Sequence, residues 1–190
     1  VMLSGSAEGQ PLELAVGEET LHDALTHGLP AFGVEDVSGH FASGNVDVTL
    51  DVGVESLSGL TSGDAVALAG SGVEEVQVDV KDQAGFDALF TGEASADLSM
   101  LQSSGLAGVL ERGVTLDVQS GVVGLTDAEA QTLISDGLHF ASQDMVTLDV
   151  SSAGGTHLKT SLAELQKLGV DQVMLSGSAE GQPLELAVGE

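Results

Sequence analysis

Residues Gly113–Val150 read GVTLDVQSGVVGLTDAEAQTLISDGLHFASQDMVTLDV, and this run decides the fold class. The tetrapeptide Thr-Leu-Asp-Val stands at both ends, at Thr115–Val118 and Thr147–Val150. Between them, Thr126-Asp127-Ala128-Glu129 is a capping box. In such a box the Thr hydroxyl accepts from the third helical N–H, and the Glu side chain reaches back to the cap. Ala130, Leu133, Ile134 and Leu138 follow at helical spacing, so a helix over this stretch is expected. Strand, helix, strand in about thirty residues implies parallel strands joined by crossovers.

The same grain runs outward in both directions. Thr49–Val52 is a third copy of TLDV, and Val76-Gln77-Val78-Asp79-Val80 is a close variant. Gly-Val-acid motifs stand at Gly33–Val37, Gly72–Val76 and Gly169–Val173, and His-Phe-Ala-Ser recurs at His40–Ser43 and His139–Ser142. Taking Leu50, Val78, Leu116, Leu148 and Leu175 as strand centres, the spacings are 28, 38, 32 and 27 residues. Val34–Val37 is a possible sixth strand. Ser161-Leu162-Ala163-Glu164 is a second capping box, leading into Leu165 and Leu168 with Gly169 as the stop. Weaker helical patterns cover Thr20 to Thr26, Asp64 to Ala69, Gln83 to Phe90 and Ala94 to Leu110, the last broken near Gly105.

Strands of a doubly wound sheet are covered on both faces and become continuous apolar runs. These strands alternate instead: Val46, Val48, Leu50 and Val52 oppose Asp47, Thr49 and Asp51, and Val76, Val78 and Val80 oppose Gln77 and Asp79. The reading is an α/β fold: a right-handed α/β solenoid with a parallel sheet, one face covered by helices and the other solvent-exposed. A string of separate small α/β domains is the alternative, followed by a closed β/α barrel.

The organisation along the chain comes from an identity. Val1–Glu18 reads VMLSGSAEGQPLELAVGE, and Val173–Glu190 repeats all eighteen letters, a period of 172 residues. Residues 1–172 are therefore one full repeat of five to six strand–helix units, and 173–190 begin the next identical one. A tandem array of this kind is quasi-one-dimensional, each unit touching only its neighbours. With no initial Met and no signal peptide, the chain reads as a piece of something longer.

Composition limits the partners. Four basic residues stand against 30 acidic ones, a formal charge of −26. Phosphate contacts need Lys and Arg, so nucleic acid is excluded as a partner, and binding to an anionic membrane is disfavoured for the same reason. No apolar run approaches the 18 residues of a membrane span, so no direct membrane insertion is expected. The chain has no Cys, Trp or Tyr, which removes thiolate chemistry, disulfides and the usual aromatic anchors of ligand pockets. A Cys-free, acidic, Gly-rich chain fits an exported bacterial protein.

The strings HFASQDMVTLDV (139–150) and THLKTSLAELQKLGVDQV (156–173) resemble repeats of giant tandem-repeat secreted proteins of Gram-negative bacteria, the adhesin-like and matrix-like surface proteins. The resemblance implies an extracellular or cell-surface location, a structural or adhesive role, and export without cleavage of an N-terminal signal. Many such proteins carry calcium-binding glycine-rich nonapeptides. This chain has no such run, with Gly154-Gly155 its only Gly pair, so that mode of calcium binding is not carried over.

No GxSxG elbow, GxGxxG fingerprint or P-loop appears, and no catalytic residue is assigned. Of the five histidines, His40 and His139 precede Phe in matching places and read as polar caps over helix ends. The acids say more. Asp51, Asp79, Asp117 and Asp149 take equivalent TLDV positions on the wet face, where parallel neighbours lie about 4.8 Å apart. Directly opposed like charges are destabilising. Calcium held by these four carboxylates is one offset; a solvated face screened by salt is the other. The expected function is a structural repeat of a filament, stalk or matrix fibre, its partners identical neighbouring repeats or copies and divalent cations. The alternative is an adhesin repeat acting as a ligand-binding module.

Overall fold

The computed structural model describes residues 3–4, 12–15, 20–27, 48–70, 73–92, 94–150 and 160–174. The elements run in the order β1 (Leu3–Ser4), β2 (Leu12–Ala15), α1 (Leu21–His27), β3 (Val48–Gly53), a 3-10 turn (Val54–Leu57), α2 (Ser62–Gly70) and β4 (Glu75–Val80). There follow α3 (Gln83–Thr91), α4 (Ser95–Ser104), α5 (Leu106–Val109), β5 (Gly113–Val118), β6 (Val122–Thr126), α6 (Asp127–Ser135), β7 (Leu138–Phe140), β8 (Met145–Asp149), α7 (Leu162–Leu168) and β9 (Gln172–Met174).

Two sheets result. The longer has the order β1-β2-β3-β4-β5-β7, and the shorter β6-β8-β9. Apart from the antiparallel β1–β2 pair, every pairing is parallel. Space follows sequence: each strand lies beside the next strand of its own sheet. The α/β class with parallel strands is therefore as expected, but the strands divide between two sheets. Leu148 centres a strand of the shorter sheet, and in the longer sheet Leu116 is paired by Phe140. Leu175, Val34–Val37, His40 and His157 lie outside the described residues.

The helices form where local chemistry asks for them. Both capping boxes are present, Thr126 with Glu129 and Ser161 with Glu164. Asp82 caps α3 by accepting from the Gly85 N–H at 3.0 Å. The expected break near Gly105 is real: its φ of 70° is left-handed, open to Gly at little steric cost, and it divides α4 from α5. The helix after Thr126 is shorter than its periodicity suggested. Gly137, with φ 74°, ends it, and Leu138 belongs to β7.

The apolar faces of the strands and the inner faces of the helices make one core. Val76, Val78, Val114, Val118, Val146 and Leu148 are fully buried, with Leu68, Phe86, Leu106 and Leu133 from the helices. The Phe86 ring meets those of Phe90 and Phe140 at 5.2 and 5.7 Å between centroids.

One side chain fixes where the shorter sheet starts. The Gln83 carboxamide donates from Nε2 to the Gly124 carbonyl at 2.8 Å and accepts the Gly124 N–H on Oε1 at 2.7 Å. It occupies the outward N–H and carbonyl of Gly124, the middle residue of β6, which a preceding strand would otherwise use.

Candidate functional site on the polar face of the longer sheet

The register stacks the outward residues of β3, β4, β5 and β7 into three rows. Thr49 faces Glu75 and then Gly113; Asp51 faces Gln77, Thr115 and His139; Gly53 faces Asp79 and Asp117. The alternation predicted a wet face here. Instead Thr49, Glu75 and Thr115 are buried, and Asp51, Gln77, Asp79, Asp117 and His139 are half-buried. Long polar side chains lean along the strands and cover one another.

At one end of the face lies a chain of hydrogen bonds. The Thr115 hydroxyl contacts the Glu75 carboxylate on one side and, at 2.8 Å, His139 Nε2 on the other. Thr49 Oγ1 approaches Glu75 from the neighbouring strand at 3.5 Å, and the half-exposed Arg112 guanidinium lies 3.4 Å from it. An ionised carboxylate only accepts, and a hydroxyl has a single proton. Thr115 therefore donates to Glu75 and accepts the Nε2–H of a neutral His139. Burial holds the imidazole below its usual range; Glu75 opposes this and Arg112 adds to it. The proton points at Glu75 and the histidine offers an N–H, so the Thr115 hydroxyl is paired on both sides. The placement also corrects the helix-cap reading of His139, which sits in a strand.

At the other end the acids meet. Of the four sequence-predicted aspartates, Asp79 and Asp117 are direct neighbours. Asp51 stands opposite Gln77, and Asp149 lies in the shorter sheet beside Thr126 and Met174, so the four do not share one row. Glutamine amides address the paired acids. Gln77 Nε2 donates to Asp117 at 3.0 Å, Gln143 Nε2 to the same oxygen at 3.2 Å, and Gln119 Nε2 to Asp79 at 3.0 Å. The carboxyl of Asp117 is nonetheless raised above its ordinary range by burial and by Asp79, with Gln143 pulling the other way. The repulsion that suggested calcium is thus partly met by neutral N–H donors. Among the described residues, no three His, Asp or Glu side chains gather as a metal-ligand set.

Two further acids tie successive layers together. Asp144, almost wholly buried in the turn between β7 and β8, accepts the Val118 N–H at 2.9 Å. Asp171, just before β9, accepts the Val146 N–H, also at 2.9 Å. Burial raises the Asp144 carboxyl; the Val118 N–H lowers it and Asp117 raises it further. Its second oxygen is buried without a hydrogen-bond partner.

Sequence reasoning missed Glu75, Thr115, Asp144 and the three glutamines. Their partners lie 24 to 40 residues away, and only the register brings them together. A usable hint was His139 standing just ahead of a strand motif. Among the described residues no helix is long and apolar enough to cross a membrane. No family model, curated protein or solved structure matches the chain.

Proposed function

We propose that this chain is one structural repeat, with the start of the next, of a long extracellular bacterial protein that forms a filament, stalk or matrix fibre. In this reading the strand layers continue from repeat to repeat as an α/β solenoid. The polar face is a hydrogen-bonded surface with no catalytic role.

One observation carries the proposal. The repeat boundary at Val173 falls inside β9, because Val173 and Met174 are the second copy of Val1 and Met2. A boundary within a strand leaves no room for a linker. The next residues, Leu175 and Ser176, repeat Leu3–Ser4, the strand that opens the longer sheet. Strand order equal to chain order fits an array growing along one axis.

Charge gives the array its second property. The unique period holds 27 acids and four bases. With six layers at about 4.8 Å, a repeat rises roughly 29 Å, or about one negative charge per 1.3 Å. Duplex DNA carries about one per 1.7 Å. Divalent cations, calcium among them, then gather as a condensed atmosphere that lets fibres approach one another. Carboxylates already taken by N–H groups are poorly placed for a tight ordered ion.

The test is the melting temperature of one, two and three joined repeats. Solenoid units need neighbours to cover their ends, so it should climb with copy number. The same value for all three lengths means independent domains and ends the proposal.

A further inference from the structure

The outer face of the shorter sheet differs from the acid-lined face of the longer one. Its strands turn a single acid outward, Asp149. Val122 and Met145 stand side by side on it, 56% and 49% exposed, and Met174 on β9 is 50% exposed. These are three of the six large apolar side chains exposed among the described residues; the other three are spread over α2, α5 and α7. Gly124 lies in the middle of the same face, beside Thr147 and one row along from Met145. A glycine inside a strand weakens it, and often marks a place where another group comes close. Nothing in its described surroundings asks for glycine. Its φ lies outside the left-handed region, and an added Cβ would meet no atom beyond its chain neighbours nearer than 3.8 Å, an ordinary contact. The residue leaves a hollow in an exposed face, next to the Met145 knob.

We propose that this face docks on the same face of a second copy of the chain, so that fibres pair side by side through their shorter sheets. A contact between identical faces is isologous, and each partner brings both knob and hollow. Met145 of one copy fills the space over Gly124 of the other; an unbranched, adaptable side chain suits that task. Charge selects the face. At −26, two copies repel wherever acids line the contact, and juxtaposed like charges suppress binding. The nearly uncharged outer face of the shorter sheet is where copies meet with least repulsion. One repeat offers little area: three strands about 4.8 Å apart and five residues long cover roughly 200 Å². A stable complex needs about 800 Å² per partner. Single repeats should therefore stay apart at micromolar concentration, while joined repeats add their contacts through avidity. The inference rests on the repeat reading for that avidity.

Sedimentation equilibrium of chains with one and three joined repeats tests it, in about 0.5 M sodium chloride to screen the repulsion. Three-repeat chains should self-associate at micromolar concentration and single repeats should not. Lowering the salt should weaken the association, as expected for an apolar contact between like-charged partners. Val122→Thr with Met145→Thr keeps the charge and the β-branched or strand-compatible shape, and should raise the concentration of half-association at least tenfold. Gly124→Ala fills the hollow and should raise it several-fold, while the melting temperature of a single repeat holds or rises, since the substitution only narrows the unfolded ensemble. Val66→Thr, the same kind of change at an exposed apolar residue on α2, should leave association unchanged. Three-repeat chains that stay apart at millimolar concentration overturn the proposal. So does association indifferent to the Val122 and Met145 pair, or equally lowered by Val66→Thr, or equally tight in single repeats. The array reading is decided separately by the melting series. A melting temperature that rises with copy number without association leaves unpaired fibres. A flat series with association lost in the double variant leaves docking between independent units.

Discussion

Thr115–Val118 and Thr147–Val150 carry the same four residues in different surroundings. In the first, Thr115 is buried beneath Glu75 and His139, and Asp117 is pressed against Asp79. In the second, Thr147 and Asp149 are half-buried on the outer face of the shorter sheet, where Met145 and Met174 are exposed. The difference lies upstream. Leu138–Phe140 occupies the place in the longer sheet beside Val114–Leu116, and the turn through Asp144 then carries the chain across to β8. A tetrapeptide specifies a strand and its two faces; what precedes it specifies the sheet.

The largest expected effect tests what the two regions share. Leu116 and Leu148 are both fully buried in one core. Leu→Ala at either should cost about 2–5 kcal/mol, from lost burial and the cavity left behind. Urea denaturation should show both losses in one cooperative transition. If Leu148→Ala were tolerated while Leu116→Ala was not, the shorter sheet would stand outside the cooperative unit.

A smaller effect separates them. Thr115→Val leaves the Glu75 carboxylate and the His139 N–H short of a partner in a buried setting, a loss of about 1–3 kcal/mol. Thr147→Val, on the more open face, should shift stability by less than about 0.5 kcal/mol. Equal effects in the denaturation midpoints would mean that the hydrogen-bond chain is no more than a surface feature.

Much of this was legible in the residues. The capping boxes at Thr126 and Ser161 are local devices, complete within four residues, and both formed. The helix break at Gly105 was equally local. The over-long helix came from Leu138, which kept the helical period while Gly137 ended it. The second sheet was hidden because β7 is three residues long, too short for alternation to register. The covering of the polar face was hidden because Glu75 and Thr115 are 40 residues apart. Alternation marks such residues as facing outward and is silent on whether their neighbours close over them. The same limit explains the four aspartates. Matching letters suggested matching places, and only Asp79 and Asp117 became neighbours.

The smallest effect concerns protons. Burial and Asp79 raise Asp117; burial and Asp117 raise Asp144, against the Val118 N–H. A carboxyl raised in the folded state binds its proton more readily there than in the unfolded chain. Stability should therefore increase as the pH falls from 7 through these raised values, and level off below the ordinary carboxylate range. Asp117→Asn and Asp144→Asn should each flatten that rise in urea midpoints measured against pH. The general self-repulsion of a chain at −26 contributes with the same sign, but salt screens it. The part that survives in about 0.5 M salt is shared with Asp97 and Asp136, also raised by burial, and with His22, raised by Asp64, and is opposed by the depressed His139. Curves of Asp117→Asn and Asp144→Asn that match the wild type at that salt would remove Asp117 and Asp144 as sources of strain.

The carboxamide of Gln83 stands in for a strand. It takes both backbone groups of Gly124 on the side of β6 away from β8, so a helix side chain closes the sheet margin at that residue. Gln83→Ala would leave the Gly124 N–H and carbonyl to water and turn a closed margin into an open one.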